Sequence, residues 1–150
     1  MALLVYWKWD IYCSSVERGE CYHFNSKKPR IHKAVEIGDS IWLISQRQPQ
    51  KDYVLLERLV VAEKKSNPES YEFGTYRVVG DRQKSIYFDP QGPDATSIIL
   101  KVKAASGSPI SGPEKIPMAT RSMPSLPPAA ERLLAEWASS LVTFVPPKCI

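Results

Sequence analysis

Seven of the chain's 15 aromatic side chains fall within its first 42 residues: Tyr6, Trp7, Trp9, Tyr12, Tyr22, Phe24 and Trp42. Directly behind Phe24 come Asn25 and Ser26, and then four strong cations, Lys27, Lys28, Arg30 and Lys33, with no acid between Tyr22 and Lys33. Rings, short polar groups and cations in that order are the parts needed to hold an unstacked nucleobase. Leaving the stack costs a base a few kcal/mol, which aromatic stacking and hydrogen bonds to its edge can offset while nearby cations hold the phosphates. The candidate ligand-facing set is therefore Tyr6, Trp7, Lys8, Trp9, Tyr22, Phe24, Asn25, Ser26, Lys27, Lys28 and Arg30.

Each of these residues also has a plainer use. Aromatics on strands fill cores more often than they line cages, and surface charge runs are frequently just solvated. If the segment around Trp7 is a strand, Tyr6 and Lys8 share one face and Trp7 and Trp9 the other. With the tryptophans inward, Tyr6 and Lys8 become the ligand-facing pair. Trp9, nearest the strand end, is the tryptophan favoured as a pocket member, and Trp42, between Ile41 and Leu43, reads as structural.

Signals for bond-breaking chemistry are sparse. The two histidines, His23 and His32, sit in no metal-ligand or Ser-His-Asp pattern and read as exposed. Asp52 with Glu63 and Lys65 resembles the acid-acid-lysine set of metal-dependent nucleases, a pattern that also arises by chance in basic chains. No catalytic residue, metal site or cofactor is assigned. Cys13, Cys21 and Cys149 are odd in number and lack zinc-site spacing, which favours reduced thiols over a disulfide framework.

The elements that must position these groups follow from pattern. A length of 150 residues suits one domain, and 43% hydrophobic with 24% charged residues marks a folded chain despite 13 prolines. Net charge is +4, a mild bias toward phosphate-bearing partners. No apolar run is long enough for a membrane helix, and Lys8 and Asp10 break the early one, so a soluble, cytoplasmic protein with no membrane partner is expected.

Leu3 to Trp9 reads as a first strand, and Asp10 to Gly19 as a loop or short helix. After a turn at Gly38-Asp39, Ser40 to Ser45 is apolar on both faces and therefore central. Tyr53 to Ala62 is a long strand, and Tyr71 to Val79 another, interrupted at Gly74. Ser85 to Asp89 and Ser97 to Val102 are short strands. So many short strands point to a closed or nearly closed sheet. Eight of the 13 prolines lie from Pro109 to Pro147, and Ser106 to Pro128 reads as an extended arm. Ala129 to Phe144 has Leu133, Leu134, Trp137, Leu141 and Phe144 at helical spacing, an apolar stripe that must be covered.

The opening Tyr6-Trp7 strand, the run Tyr22 to Lys28, and Glu36-Ile37-Gly38-Asp39 launching Ser40 to Leu43 together resemble the PUA-like superfamily, nearest its EVE and YTH-type domains. The likeness covers roughly Leu3 to Asp89. The segment before Tyr22 is shorter than in EVE domains and lacks their Trp-Asp-Gly signature. The resemblance implies an α+β fold, a small mixed curved β-barrel with peripheral helices and a C-terminal helix. It implies binding of DNA or RNA, in some branches by enclosing a modified base. The expected organisation is a barrel domain over 1–103, a Pro/Ser-rich arm over 104–128 and a helix over 129–150 that packs on the barrel. A module that docks a protein partner through the arm and that helix is the competing non-catalytic reading.

Overall fold

The computed structural model describes all 150 residues, Met1–Ile150. In chain order the elements are β1 (Ala2–Tyr6), α1 (Trp9–Glu17), β2 (His23–Ser26), α2 (Arg30–Lys33), β3 (Ser40–Gln46), β4 (Tyr53–Ser66), β5 (Tyr76–Gly80), β6 (Ile86–Tyr87), α3 (Thr96–Ala105), α4 (Ile116–Arg121), β7 (Ser125–Leu126) and α5 (Pro128–Ala138). The fold is mixed α+β, with one seven-stranded sheet ordered β2-β5-β4-β3-β1-β7 and β6 paired beside β4.

The central place of β3 follows from its composition: Ile41, Trp42, Leu43 and Ile44 are all buried, so both faces need cover and both edges need partners. It pairs parallel with β1 and antiparallel with β4. A parallel neighbour requires a crossover, and that crossover carries α1, β2 and α2. Strand alternation then sorts the core into two layers. Leu3, Val5, Ile41 and Leu43 face one side with Phe24, Tyr12 and Tyr87, while Ala2, Leu4, Trp42 and Ile44 face the other with α3 and α5. Trp42 is buried as expected, its Nε1 donating to Glu131 on α5 at 2.9 Å. In the first layer Glu57 is fully buried with neither carboxyl oxygen hydrogen-bonded, and burial pushes its pKa well above the ordinary carboxylate value.

Several expectations need correction. The first strand ends at Tyr6, and Trp9 opens α1 instead of extending the strand. Ser97 to Val102 is not a strand but the body of α3, where Ala95, Ile98, Ile99 and Val102 are buried at i, i+3, i+4 and i+7. The β-branched pair Ile98-Ile99 masks a helical period there. Strand pairing does not close into a barrel, because β2 and β7 end the path as unpaired edges.

The arm is not extended throughout: it holds α4 and adds β7 to β1. The sheet is therefore not complete at residue 103. The terminal helix stops at Ala138 and packs on α3, with Leu134 buried. Beyond it the chain runs back along Tyr87 to Asp89, where Thr143 bridges Phe88 and the Phe144 N–H donates to the Tyr87 carbonyl at 2.9 Å.

The three thiols are not all reduced. Cys21 and Cys149, 128 residues apart, form a disulfide, leaving Cys13 free and exposed. Sequence spacing could not reveal this pair, because the fold alone brings Lys148 and Cys149 back to the α1–β2 connection. No helix is long and apolar enough to cross a membrane.

Candidate nucleic-acid interface

The two ends of the strand path meet across a cavity of about 490 Å3. Tyr6, Trp7 and Lys8 line it from the end of β1, and Phe24 through Lys28 from β2 and the loop after it. Ile11 and Ser15 on α1 close one side. Glu72 and Phe73 enter from the β4–β5 loop, Arg121 from the last turn of α4, and Met123 from the segment between α4 and β7.

Trp7 is only 5% exposed and is wedged edge-on between Tyr12 and Phe24, at ring-centroid distances of 5.2 and 5.7 Å. It is a floor. Tyr6 is half-buried, and the Arg121 guanidinium lies 5.0 Å over its ring. Two buried hydroxyls face the same space: Ser26, whose oxygen accepts the Lys28 N–H at 3.0 Å, and Ser15, which has no partner within the chain. Serine in these positions leaves a donor for a guest.

Asn25 behaves differently from its neighbours. Along β2, Phe24 and Ser26 turn into the core layer while the Asn25 side chain turns to the opposite face. There its Oδ1 accepts from Asn67 Nδ2 at 2.9 Å and from Arg77 Nε at 3.0 Å. Its side chain is thus a brace for the loop that carries Phe73, and only its main chain is left for the cavity. Gly74 completes the brace. It adopts φ +111°, and a Cβ there would overlap the Ser26 carbonyl, so the loop can lie against the Ser26–Lys27 peptide only with glycine at this point.

The cations divide into spent and free. Lys28 Nζ donates to the Arg121 carbonyl at 2.6 Å. Arg30 donates from Nε to the Met123 carbonyl at 2.8 Å and from Nη2 to Ser125 Oγ at 3.2 Å. Both therefore tie the loop after β2 to the strand path's other end. Lys27 is exposed and unpaired, Arg121 is exposed with only the Tyr6 ring beneath it, and Lys8 meets Asp10 at 3.7 Å in the open. These three are the positive charges at the mouth, against Glu72 in the wall and Asp10 beside Lys8.

Of the candidates named from sequence, Tyr6, Trp7, Lys8, Phe24, Asn25, Ser26, Lys27 and Lys28 share this cavity, and Trp9, Tyr22 and Arg30 do not. Trp9 is carried off by the turn of α1 into a second cavity of about 370 Å3, beside Tyr12, Cys13 and Phe144. Tyr22 is buried against Tyr87 at 5.0 Å and accepts Arg82 over its ring at 4.8 Å. Sequence reasoning missed Arg121, Met123 and Phe73, which approach from distant segments. The only local signal was Gly74 beside two aromatics, Tyr71 and Phe73.

Other expected groups are not brought together. Asp52 forms a two-pronged pair with Arg47, whose Nε donates at 2.8 Å, while Glu63 pairs with Lys65 at 3.7 Å. Ten strand positions of β4 separate Asp52 from Glu63, a reach of roughly 30 Å. No group of three acid, histidine or cysteine side chains is placed to hold a metal. The histidines are not exposed as expected. His23 Nδ1 is buried without a partner and its pKa is lowered by burial and then by Arg77, while His32 Nε2 meets the Arg77 carbonyl at 2.8 Å.

Comparison with known families and with characterised proteins finds no match to this chain.

Proposed function

We propose that the chain is a nucleic-acid-binding module that takes one unstacked base, standard or modified, into the cavity between the two ends of its sheet. One observation carries this reading: Tyr6, Phe24 and Phe73 wall a space of about 490 Å3 whose mouth holds Lys27, Arg121 and Lys8. That volume lies within the roughly 300–1,000 Å3 usual for small-molecule sites. Apolar walls accept the ring, the Ser15 and Ser26 hydroxyls offer edge contacts, and the free cations meet the flanking phosphates. The sheet is read as a PUA-like barrel whose gap is spanned by the Lys28 and Arg30 side chains instead of ladder hydrogen bonds.

The test is titration of single- and double-stranded DNA and RNA, with and without methylated or hydroxymethylated bases, at several salt concentrations. Binding that weakens steeply with salt is expected, and Lys27→Glu with Arg121→Glu should reduce it at least tenfold with an unchanged melting temperature. Binding that ignores the double substitution would remove the cavity mouth from the reading.

A further inference from the structure

The strand β2 ends the sheet, with β5 as its only neighbour. The Gly80 N–H donates to the Tyr22 carbonyl at 2.7 Å, which fixes the phase of the ladder. In an antiparallel pair, residues that bond across the ladder alternate with residues whose N–H and C=O point away from it. With Phe24 opposite Val78 and Ser26 opposite Tyr76, the main chains of Phe24 and Ser26 face β5 and that of Asn25 faces outward. No other group in the chain takes the Asn25 N–H or C=O. Yet Asn25 lines the cavity, and its side chain is held on the other face by Asn67 and Arg77.

We infer that the outward N–H and C=O of Asn25 read the Watson–Crick edge of the base in the cavity, so that the ligand must be an unpaired base with that edge unblocked. The inference rests on the base-binding reading above and names the atoms that do the reading. Every standard base carries a donor and an acceptor side by side on its pairing edge, so one main-chain donor–acceptor pair suits all of them. Discrimination among bases then falls to the groups around the ring. A base still paired in a duplex has already used this edge, and it would be refused until flipped.

A free strand edge is also what an extended peptide would add to. Here the free edge is short, with only His23 and Asn25 turned outward, and the surroundings of Asn25 are rings and cations. A planar, phosphate-linked guest fits those surroundings better than a strand does.

The probe is a single-stranded hexamer of thymidine, compared by fluorescence anisotropy with the same hexamer built from N3-methylthymidine, which keeps charge and ring but blocks the edge. The wild-type protein should bind the methylated strand at least about tenfold more weakly. Asn25→Ala keeps the main chain but removes the brace on the Phe73 loop, so it should weaken binding of both hexamers and keep the preference between them. Asn25→Pro removes the N–H that donates to a thymine carbonyl oxygen, at an outward edge position where proline is tolerated, so it should weaken binding of the unmethylated hexamer while its retained C=O still disfavours the methylated one. Should the proline variant fail to fold, the methylated strand decides the matter on the wild-type protein alone.

Equal binding of both hexamers would overturn the edge-reading inference while leaving base stacking intact. Binding of neither would overturn the base-binding reading with it. A capped alternating threonine–valine pentapeptide that binds where the thymidine hexamer does not would assign the edge to strand addition instead.

Discussion

Arg30 Nε donates to the Met123 carbonyl at 2.8 Å across 93 residues of sequence. With Lys28 on the Arg121 carbonyl, it fastens the loop after β2 to the segment entering β7. The basic run thus contains two struts, Lys28 and Arg30, and Lys27 is its free charge at the cavity. Arg30→Ala and Lys28→Ala should each lower stability, by about 1–3 kcal/mol for Arg30, because each removes a charge-assisted hydrogen bond to a carbonyl. Lys27→Ala should leave the melting temperature unchanged and weaken nucleic-acid binding. Thermal melts of the three variants check the division, and a melt for Lys27→Ala as low as that for Arg30→Ala would contradict it.

Gly74 and Gly107 both sit at positive φ, +111° and +84°, but only Gly74 is crowded, while Gly107 faces open space. Alanine at Gly107 should cost only the strain of the backbone region, about 1 kcal/mol. Alanine at Gly74 must also push the β4–β5 loop off the Ser26–Lys27 peptide, so it should cost more and lower ligand affinity together. Denaturant melts of the two variants, with binding measured on each, give the comparison.

Glu57 makes stability fall as pH rises. Well below the ordinary carboxylate value of 4.5, the folded and unfolded chains both hold the proton. Above it the unfolded chain releases the proton while buried Glu57 keeps its own, so the folded state loses up to about 1.4 kcal/mol per pH unit until the raised folded value is passed. Glu57→Gln should flatten that slope and melt higher than wild type at neutral pH. Melting curves from pH 4 to 8 for the two proteins report it, and parallel curves would show that Glu57 is not buried as described.

Denatured without reductant, the protein should titrate one thiol, Cys13, and after reduction three. Reduction should also lower the melting temperature, because the bridge closes a loop of 128 residues, worth about 4–5 kcal/mol on chain entropy. Cys13→Ser should change neither the stability nor its response to reductant.

How far the sequence disclosed this depends on how local each feature is. The aliphatic and aromatic run opening at Leu3, the Gly38-Asp39 turn and the apolar Ser40 to Ser45 are local, and they placed the sheet's centre correctly. The residues Phe24 to Lys28 are contiguous, so their joint arrival at one cavity could be expected once a strand was assigned. Trp9 was misplaced because a two-residue period was carried past the point where the chain turns helical. Arg30 was taken as a phosphate contact because charge pattern does not reveal that the Met123 carbonyl and the Ser125 hydroxyl, 93 and 95 residues onward, lie within reach of its guanidinium. Arg121 and Met123 lie in a proline-rich stretch with no periodicity, and nothing near them in sequence points to the cavity.

Walls drawn from residues 6–28, 72–73 and 121–123 also set an order of events during synthesis. A nascent chain emerging from the ribosome cannot enclose a guest until the last of those segments has cleared the exit tunnel. Until then Phe24 and Met123 have no common space to share, so under the proposed base-binding reading a growing chain would stay silent toward the nucleic acids that surround its own translation.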